Sequence, residues 1–438
     1  MDPLLLGALA SLCLVLLLLS GMPVAFALGF TAVLFLLIHD GADAFEVVAD
    51  TLFASLDEFA LLSIPMFLLM GAAIAASRAG SDLYEALDRW LYKVPGGLLV
   101  SNIGACGLFA ALTGSSPATC AAIGKMGIPE MRKRGYPASL ATGSIAAGGT
   151  LGILIPPSIT MIVYGISTET SIGRLFAAGL LPGLMLMGLF IIWSLIYTRI
   201  KGYRFTEEDK HFTLWEKIVI LPKVLPFMAI IVLVLWALYG GVATPSEASG
   251  VGALVCIVLV MLIYRVWRPS NLWAMVSSAT RESVMLMMII GMAGLFSFMM
   301  SNLYIAQGIT EFIAEQDLNP WMLMLYINVF LLVAGFFLPP VAVILMTTPT
   351  LVPIVIQAGF DPIWFGVILT LNMEVGLITP PVGLNLYVIN GIVPDVDLKT
   401  VLLGALPFML CILLGIGLLM VFPQIALWLP EVLMGADL

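Results

Sequence analysis

The sequence predicts an all-α polytopic membrane protein built from two inverted repeats, each with one re-entrant helical hairpin and one broken helix. Three observations lead to this fold class: an apolar composition, apolar segments long enough to cross a bilayer, and an internal repeat. Of the 438 residues, 61% are hydrophobic and only 10% are charged. Soluble globular chains do not have this composition, so most of the chain is expected to lie in lipid.

The membrane spans follow from the length of the apolar segments. A helix needs about 20 apolar residues to cross the hydrocarbon core, and the segments 4–19, 183–197 and 402–422 are examples. No basic residue precedes Arg78, so we expect no cleaved signal peptide and a retained helix at 4–19. The net charge of −9 reflects loop composition and gives no sign of a nucleic-acid partner.

The orientation of the spans follows from the basic residues. They group in four segments and leave Lys399 alone; the segments are 78–93, 125–134, 199–223 and 265–281. Lys and Arg next to membrane spans mark the cytoplasmic side. Placing these groups inside leaves Arg174 as the one basic residue outside. The sequence therefore predicts a multi-pass protein of the bacterial inner membrane with both termini in the periplasm.

Two apolar segments are interrupted at their middle and are predicted to be re-entrant hairpins. The first, 97–127, is interrupted at Thr113-Gly114-Ser115-Ser116-Pro117 and has basic groups at both ends, so it should open to the cytoplasm. The second, 320–359, is interrupted at Leu338-Pro339-Pro340 and lacks flanking basic residues, so it should open outward. Non-helical backbone at this depth is tolerated only inside protein or beside a water-filled cavity. The two hairpin tips therefore point to a site.

The internal repeat relates the two halves of the chain. Ile128-Pro129, Gly135-Tyr136 and Pro156-Pro157 recur 224 residues later as Val352-Pro353, Gly359-Phe360 and Pro380-Pro381. An odd number of crossings separates the two hairpins, so the second copy should be upside down. We assign 1–217 to the first repeat and 218–438 to the second, with short amphipathic segments near 43–56 and 271–281. Inverted repeats with broken helices are typical of secondary transporters.

Broken helices are predicted at 137–165 and 361–390, because each contains a Pro-Pro pair that removes amide donors and prevents a regular turn. The unpaired carbonyl groups there, joined by hydroxyl groups, suit sodium, a hard cation that takes oxygen ligands. Ser115 and Ser116 are candidate ligands at one site and Thr379 at the other. The purely structural alternatives are simple helix kinks at the prolines and close helix packing at the small residues.

The opposite ends of the broken helices and hairpin arms present free amide groups, which favour an anionic solute. A carboxylate is the first expectation. The polar side chains expected to border the solute are Thr113, Asn372, Glu374 and Asn385. An intramembrane acid such as Glu374 is a functional candidate by default, although it could also be neutral or packed against a break.

Three motifs resemble the large membrane subunit of tripartite ATP-independent periplasmic (TRAP) transporters. They are Thr113-Gly114-Ser115-Ser116-Pro117-Ala118-Thr119, Gly152-Ile153-Leu154-Ile155-Pro156-Pro157-Ser158 and Gly376-Leu377-Ile378-Thr379-Pro380-Pro381-Val382-Gly383-Leu384-Asn385. The resemblance covers essentially the whole chain. It implies an elevator-type, sodium-coupled carrier, a separate small four-helix membrane subunit, and a periplasmic binding protein that delivers the solute. It also implies sodium ligands, which would be Ser115, Ser116, Gly149, Gly152, Leu338, Val341, Gly376 and Thr379.

Three alternatives remain open at this stage. A stand-alone carboxylate or ion antiporter or symporter of the same architecture would need no binding protein. An intramembrane enzyme is disfavoured, since the chain lacks HExxH, has only two histidines, and has its five cysteines scattered without metal-ligand spacing. A subunit of an ATP-driven importer is disfavoured by the hairpin pair and the lack of a P-loop. The identity of the organic solute does not follow from the sequence.

Overall fold

The computed structural model describes residues 2–91, 97–201, 212–316 and 318–435, and within them all the regular structure is helical. The predicted all-α fold is therefore confirmed. Of the basic residues used for the topology, Lys93, Arg204 and Lys210 lie outside the described residues. The helices up to residue 200 are α1 (Pro3–Leu19), α2 (Val24–Asp40), α3 (Ala44–Leu56), α4 (Ser63–Ala75), α5 (Ala79–Leu91), α6 (Gly97–Thr113), α7 (Ser116–Lys133), α8 (Ala138–Thr150), α9 (Ile159–Ser167) and α10 (Ile172–Ile200).

The second half contains ten more helices. Its helices are α11 (Leu214–Tyr239), α12 (Pro245–Tyr264), α13 (Pro269–Asn302), α14 (Ile305–Glu315), α15 (Pro320–Phe337), α16 (Pro340–Gln357), α17 (Pro362–Leu377), α18 (Leu384–Ile392), α19 (Leu398–Val421) and α20 (Gln424–Met434). The series α5 to α10 corresponds to α14 to α19, and the peptide bonds of Pro156-Pro157 and Pro380-Pro381 are both cis. The inverted orientation of the second copy stays a prediction.

Eight helical segments of the described residues are long and apolar enough to cross a membrane, one of them the run of α2 and α3 together (Val24–Leu56). There are nine if α4 and α5, which meet at 66°, form one broken span. The predicted segments 183–197 and 402–422 coincide with α10 and α19, whereas 4–19 forms the shorter helix α1. The multi-pass prediction is thus supported by length and composition.

Two details of the predicted element order are wrong. No separate amphipathic segment exists at 271–281, because α13 runs unbroken for 34 residues from Pro269. Proline is tolerated in the first turn of a helix, and no later proline interrupts the run. The second is that no helix was predicted between the basic residues at 78–93, where the structure has the amphipathic helix α5.

Helix α5 connects distant parts of the chain. Its Asp82 accepts a hydrogen bond from Tyr264 of α12 at 2.9 Å and lies 3.6 Å from the Lys223 ammonium of α11. Six residues later, Asp88 lies 3.3 Å from the guanidinium of Arg134, at the end of α7. Helix α5 therefore links α11 and α12 to the base of the first hairpin.

Helices α8 and α17 occupy the centre of the protein. Residues 140–150 of α8 and 363–377 of α17 are all buried. Helix α8 crosses α19 with direct backbone contact, since a Cβ atom added to Gly404 would lie 1.9 Å from the carbonyl oxygen of Ser139. Small residues at a membrane helix crossing permit this close approach. The ends of these two central helices form the candidate site.

Candidate solute and ion site at the helix breaks

The first hairpin tip is built on a tight turn between α6 and α7. Gly114 has a positive φ of 60°, and a Cβ atom there would lie 2.6 Å from the carbonyl oxygen of Pro157. A Cβ atom on Gly152 would lie 2.7 Å from the carbonyl oxygen of Ser115. Glycine is required at both positions because backbone meets backbone. The tip of the first hairpin is therefore seated directly on the break between α8 and α9.

The predicted ligands of the first ion site are only partly brought together. Ser115, Ser116 and Gly152 meet at this tip, as the glycine contacts show. Gly149 lies one turn earlier on α8 and faces Cys120, whose sulfur would be 2.1 Å from an added Cβ atom. The carbonyl oxygen of Ser115 accepts the hydroxyl of Thr119 at 2.8 Å. Sodium binding here stays a prediction.

Asn385 completes the first tip from the other half of the chain. Its side-chain amide donates to the Ser116 hydroxyl at 2.8 Å and to the carbonyl oxygen of Ala146 at 2.9 Å. The Ser116 hydroxyl in turn donates to Oδ1 of Asn385 at 3.0 Å. Both side chains are fully buried. Helix α18 of the second repeat therefore fastens the tip of the first hairpin.

Thr113 lies between the hairpin and the surrounding helices. Its hydroxyl donates to the carbonyl oxygen of Phe109 at 3.1 Å and lies 3.1 Å from the Thr119 hydroxyl. Together with Ser115 it borders a cavity of about 280 Å³. Residues of α4 and α13, among them Glu282 of α13, line the opposite wall of this cavity. The cavity lies next to the first tip and is lined by both the hairpin and the surrounding helices.

The second tip has the same backbone-to-backbone seating. A Cβ atom on Gly376 would lie 2.2 Å from the carbonyl oxygen of Gly335, near the end of α15. The Val382 amide donates to the carbonyl oxygen of Phe336 at 3.1 Å. The end of α15, which leads into Leu338 and Val341, therefore packs against the break between α17 and α18. The Thr379 hydroxyl donates to the Val375 carbonyl oxygen at 2.7 Å.

Asn372 and Glu374 each carry a buried oxygen atom without a hydrogen-bond partner. Nδ2 of Asn372 donates to Oδ1 of Asn328 at 2.7 Å, whereas its own Oδ1 has no donor. One carboxylate oxygen of Glu374 lies 3.3 Å from the Thr150 hydroxyl, and the other has no partner. Buried polar atoms are normally satisfied, so these two oxygens are available to accept from a donor or to bind a cation.

Two of these site residues escaped the sequence analysis. Asn328 lies in an otherwise apolar span, and this isolated polar side chain was a usable signal. Thr150 is separated from Glu374 by 224 residues, which is the displacement of the internal repeat. Equivalent positions of the two copies therefore contact each other at the centre of the protein. Aligning the repeat residue by residue would have singled out this pair.

Comparison with known proteins agrees with this architecture. The family model of the tripartite ATP-independent periplasmic transporter, DctM component, matches residues 11–425. The chain is 38% identical over 405 residues to the C4-dicarboxylate TRAP transporter large permease protein DctM of Pseudomonas aeruginosa, covering 92% of this chain and 94% of that protein. It is 31% identical to the ectoine TRAP transporter large permease protein TeaC of Halomonas elongata, covering 95% and 96%.

A solved structure supports the fold independently. The crystal structure of the Alcanivorax borkumensis YdaH transporter, described as having an unusual topology, aligns with a TM-score of 0.64 at 15% identity, covering 88% of this chain and 90% of that one. At this identity the likeness shows the fold alone. The family match identifies a transport protein and not an enzyme. The chain belongs to the tripartite ATP-independent periplasmic transporter family, as a large permease subunit of the DctM type.

Proposed function

We propose that this subunit is the translocation pathway of a sodium-coupled secondary transporter that imports a small, carboxylate-bearing organic solute. The observation that carries the proposal is the pair of hairpin ends seated on two helix breaks, with backbone contacts that leave no room for a side chain at Gly152 or Gly376. Family membership supplies ion-coupled transport together with a small membrane subunit and a periplasmic binding protein as partners. The coupling ion, the solute class and the four-helix form of the small subunit belong to the proposal.

The ion sites are proposed at the two hairpin tips. In the first half the ligand groups would come from Ser115, Ser116, Gly149 and Gly152, and in the second from Leu338, Val341, Gly376 and Thr379. Close backbone seating favours an ion held mainly by carbonyl oxygens, because several carbonyl groups converge where helices end. Each net positive charge carried inward would contribute about 2.3 kcal/mol per 100 mV of membrane potential.

The solute is proposed to bind beside the first tip and the centre of the protein. Thr113 lines the adjoining cavity, Asn385 fastens the tip, and Asn372 and Glu374 carry the unpartnered oxygen atoms. The functions named for the two relatives, C4-dicarboxylate and ectoine transport, support a small organic solute that carries a carboxylate. The hairpins and broken helices would move as one unit in an elevator mechanism, in the inner membrane with both termini periplasmic.

The stand-alone antiporter or symporter is the weaker alternative, since membership of a tripartite family implies a binding protein. Uptake into proteoliposomes with and without the cognate binding protein separates the two. Uptake that is independent of the binding protein would favour the stand-alone reading.

The ion sites can be tested without knowing the solute. We expect the purified chain, with any co-purifying small subunit, to melt at a higher temperature in sodium chloride than in choline chloride at equal ionic strength. Saturating sites add about 1.4 kcal/mol each per tenfold rise in sodium. Ser116→Ala and Thr379→Ala should reduce this gain. Ser283→Ala and Thr310→Ala are matched controls, because both hydroxyls bond only to carbonyls of their own helices. Equal melting in both salts would refute sodium coupling.

A further inference from the structure

Glu374 differs from the other buried acid of the described residues. Among the residues that the structure describes, Asp82 and Glu374 are the only charged side chains that are buried. Asp82 has the Tyr264 hydroxyl and the Lys223 ammonium beside it. Glu374 is fully buried, and its one hydrogen-bonding contact is the Thr150 hydroxyl, while its second oxygen has none. A buried carboxylate without a compensating positive group is strongly unfavourable.

The Thr150 hydroxyl does not supply that compensation. It lies 2.7 Å from the carbonyl oxygen of Ala147 and 3.3 Å from the Glu374 carboxylate oxygen. A hydroxyl has one hydrogen, and the shorter, better bond is the one to the backbone. When that hydrogen is in the bond to the backbone, the Thr150 oxygen faces the carboxylate with a lone pair. Two acceptor oxygens directed at one another need a proton or a cation between them, and a cation also supplies the positive charge that a buried carboxylate lacks.

The position of Thr150 adds a second reason to expect a cation. Thr150 is the last residue of α8, and the final carbonyl groups of a helix lack partners within it and carry the negative end of its dipole. The unpartnered Glu374 oxygen is thus close to the end of α8 where a positive charge is stabilised. An anionic solute next to a bare carboxylate would instead be repelled.

We propose a third cation site at the contact between the two repeats, in which the Glu374 carboxylate and the Thr150 hydroxyl oxygen bind a sodium ion. This inference rests on the proposed sodium coupling and is separate from the two hairpin sites. It gives Glu374 a definite role: the ion neutralises the carboxylate, so that an anionic solute can bind nearby. The site uses one residue from each repeat, whereas each hairpin site draws its ligands from one half.

The test compares wild type with Glu374→Gln, which keeps the size of the side chain and removes its charge. ²²Na binding to the purified chain should fall by one ion per chain in the variant. In choline chloride, Glu374→Gln should melt at or above the wild-type temperature, because it removes an uncompensated charge. In saturating sodium chloride, the bound ion should raise the melting temperature of the wild type by the amount that it lies below the variant in choline chloride.

A second pair of variants controls for a general loss of stability. Thr150→Val removes the hydroxyl oxygen at nearly constant volume and should weaken sodium binding at this site, whereas Thr150→Ser should retain it. If wild type binds sodium and Glu374→Gln binds the same number of ions, with the same melting difference in both salts, the carboxyl is neutral and the third site is refuted. If wild type itself does not respond to sodium, the proposed function fails, and this site fails with it.

Discussion

Replacing Asn385 by alanine should weaken the attachment of the first hairpin tip to the second repeat. The side chain makes three hydrogen-bonding contacts of 2.8 to 3.0 Å, two with Ser116 and one with the Ala146 carbonyl. Side-chain hydrogen bonds inside membrane proteins are worth about 0.6 kcal/mol each on average, and a buried hydroxyl left without its partner costs about 1–3 kcal/mol more. We therefore expect Asn385→Ala to lower the free energy of unfolding by about 3–5 kcal/mol.

A double-mutant cycle shows whether this energy resides in the Asn385–Ser116 contact. Ser116→Ala alone loses two of the three contacts and leaves Oδ1 of Asn385 without its donor, so it should cost about 2–4 kcal/mol. The double variant should cost less than the sum of the single variants, with a coupling energy of about 1–2 kcal/mol. Unfolding by sodium dodecyl sulfate, followed by tryptophan fluorescence, supplies these free energies.

The control lies on the same helix. Asn390 donates to the carbonyl oxygen of Val396 at 2.8 Å and makes no side-chain hydrogen bond to the hairpin. Asn390→Ala should cost about 1 kcal/mol and should add to Ser116→Ala without coupling. A coupling energy for Asn385 and Ser116 below about 0.5 kcal/mol would refute the claim that α18 fastens the first tip.

Three further predictions follow from contacts elsewhere in the chain. Gly376→Ala places a Cβ atom 2.2 Å from a backbone oxygen and should destabilise the protein by about 3 kcal/mol. The control Gly391→Ala has open space around it and should be neutral or slightly stabilising. Equal melting temperatures of the two variants would contradict this prediction. Asp88→Asn should lower the free energy of unfolding by about 1–2 kcal/mol, because it weakens the half-buried ion pair with Arg134. A change below about 0.3 kcal/mol would contradict a stabilising role for the contact between α5 and the first hairpin. Gln316→Cys should react with an impermeant maleimide from the periplasm and Lys133→Cys only after permeabilisation; the reverse pattern would overturn the predicted topology.

Local signals in the sequence were enough to locate the site region. The Pro-Pro pairs, the glycine and serine residues at the first tip and the 224-residue displacement are visible without a structure. They work because proline and glycine act on the backbone within one turn, independent of what packs around them. Helices α8 and α17 end close to the predicted interruptions for this reason.

Contacts across the chain were not predictable in the same way. Nothing local to Asn385 indicates that its partner is Ser116, 269 residues away. Nor does the charge pattern at 78–93 reveal that Asp82 and Asp88 face different neighbours on α5. Such pairings depend on how whole helices pack, and a single sequence contains no direct record of that packing.

The contacts between repeats bear on how ions and solute could be coupled. Asn385 of the second repeat supports the tip where the first ion site is proposed, and Glu374 meets its counterpart Thr150 of the first repeat. An ion that orders either break therefore acts on a helix that also borders the solute. A bound group that rigidifies a shared element lowers the entropic cost of the next binding event. On the proposed mechanism, sodium and solute should each raise the affinity for the other by the same factor, as linkage requires.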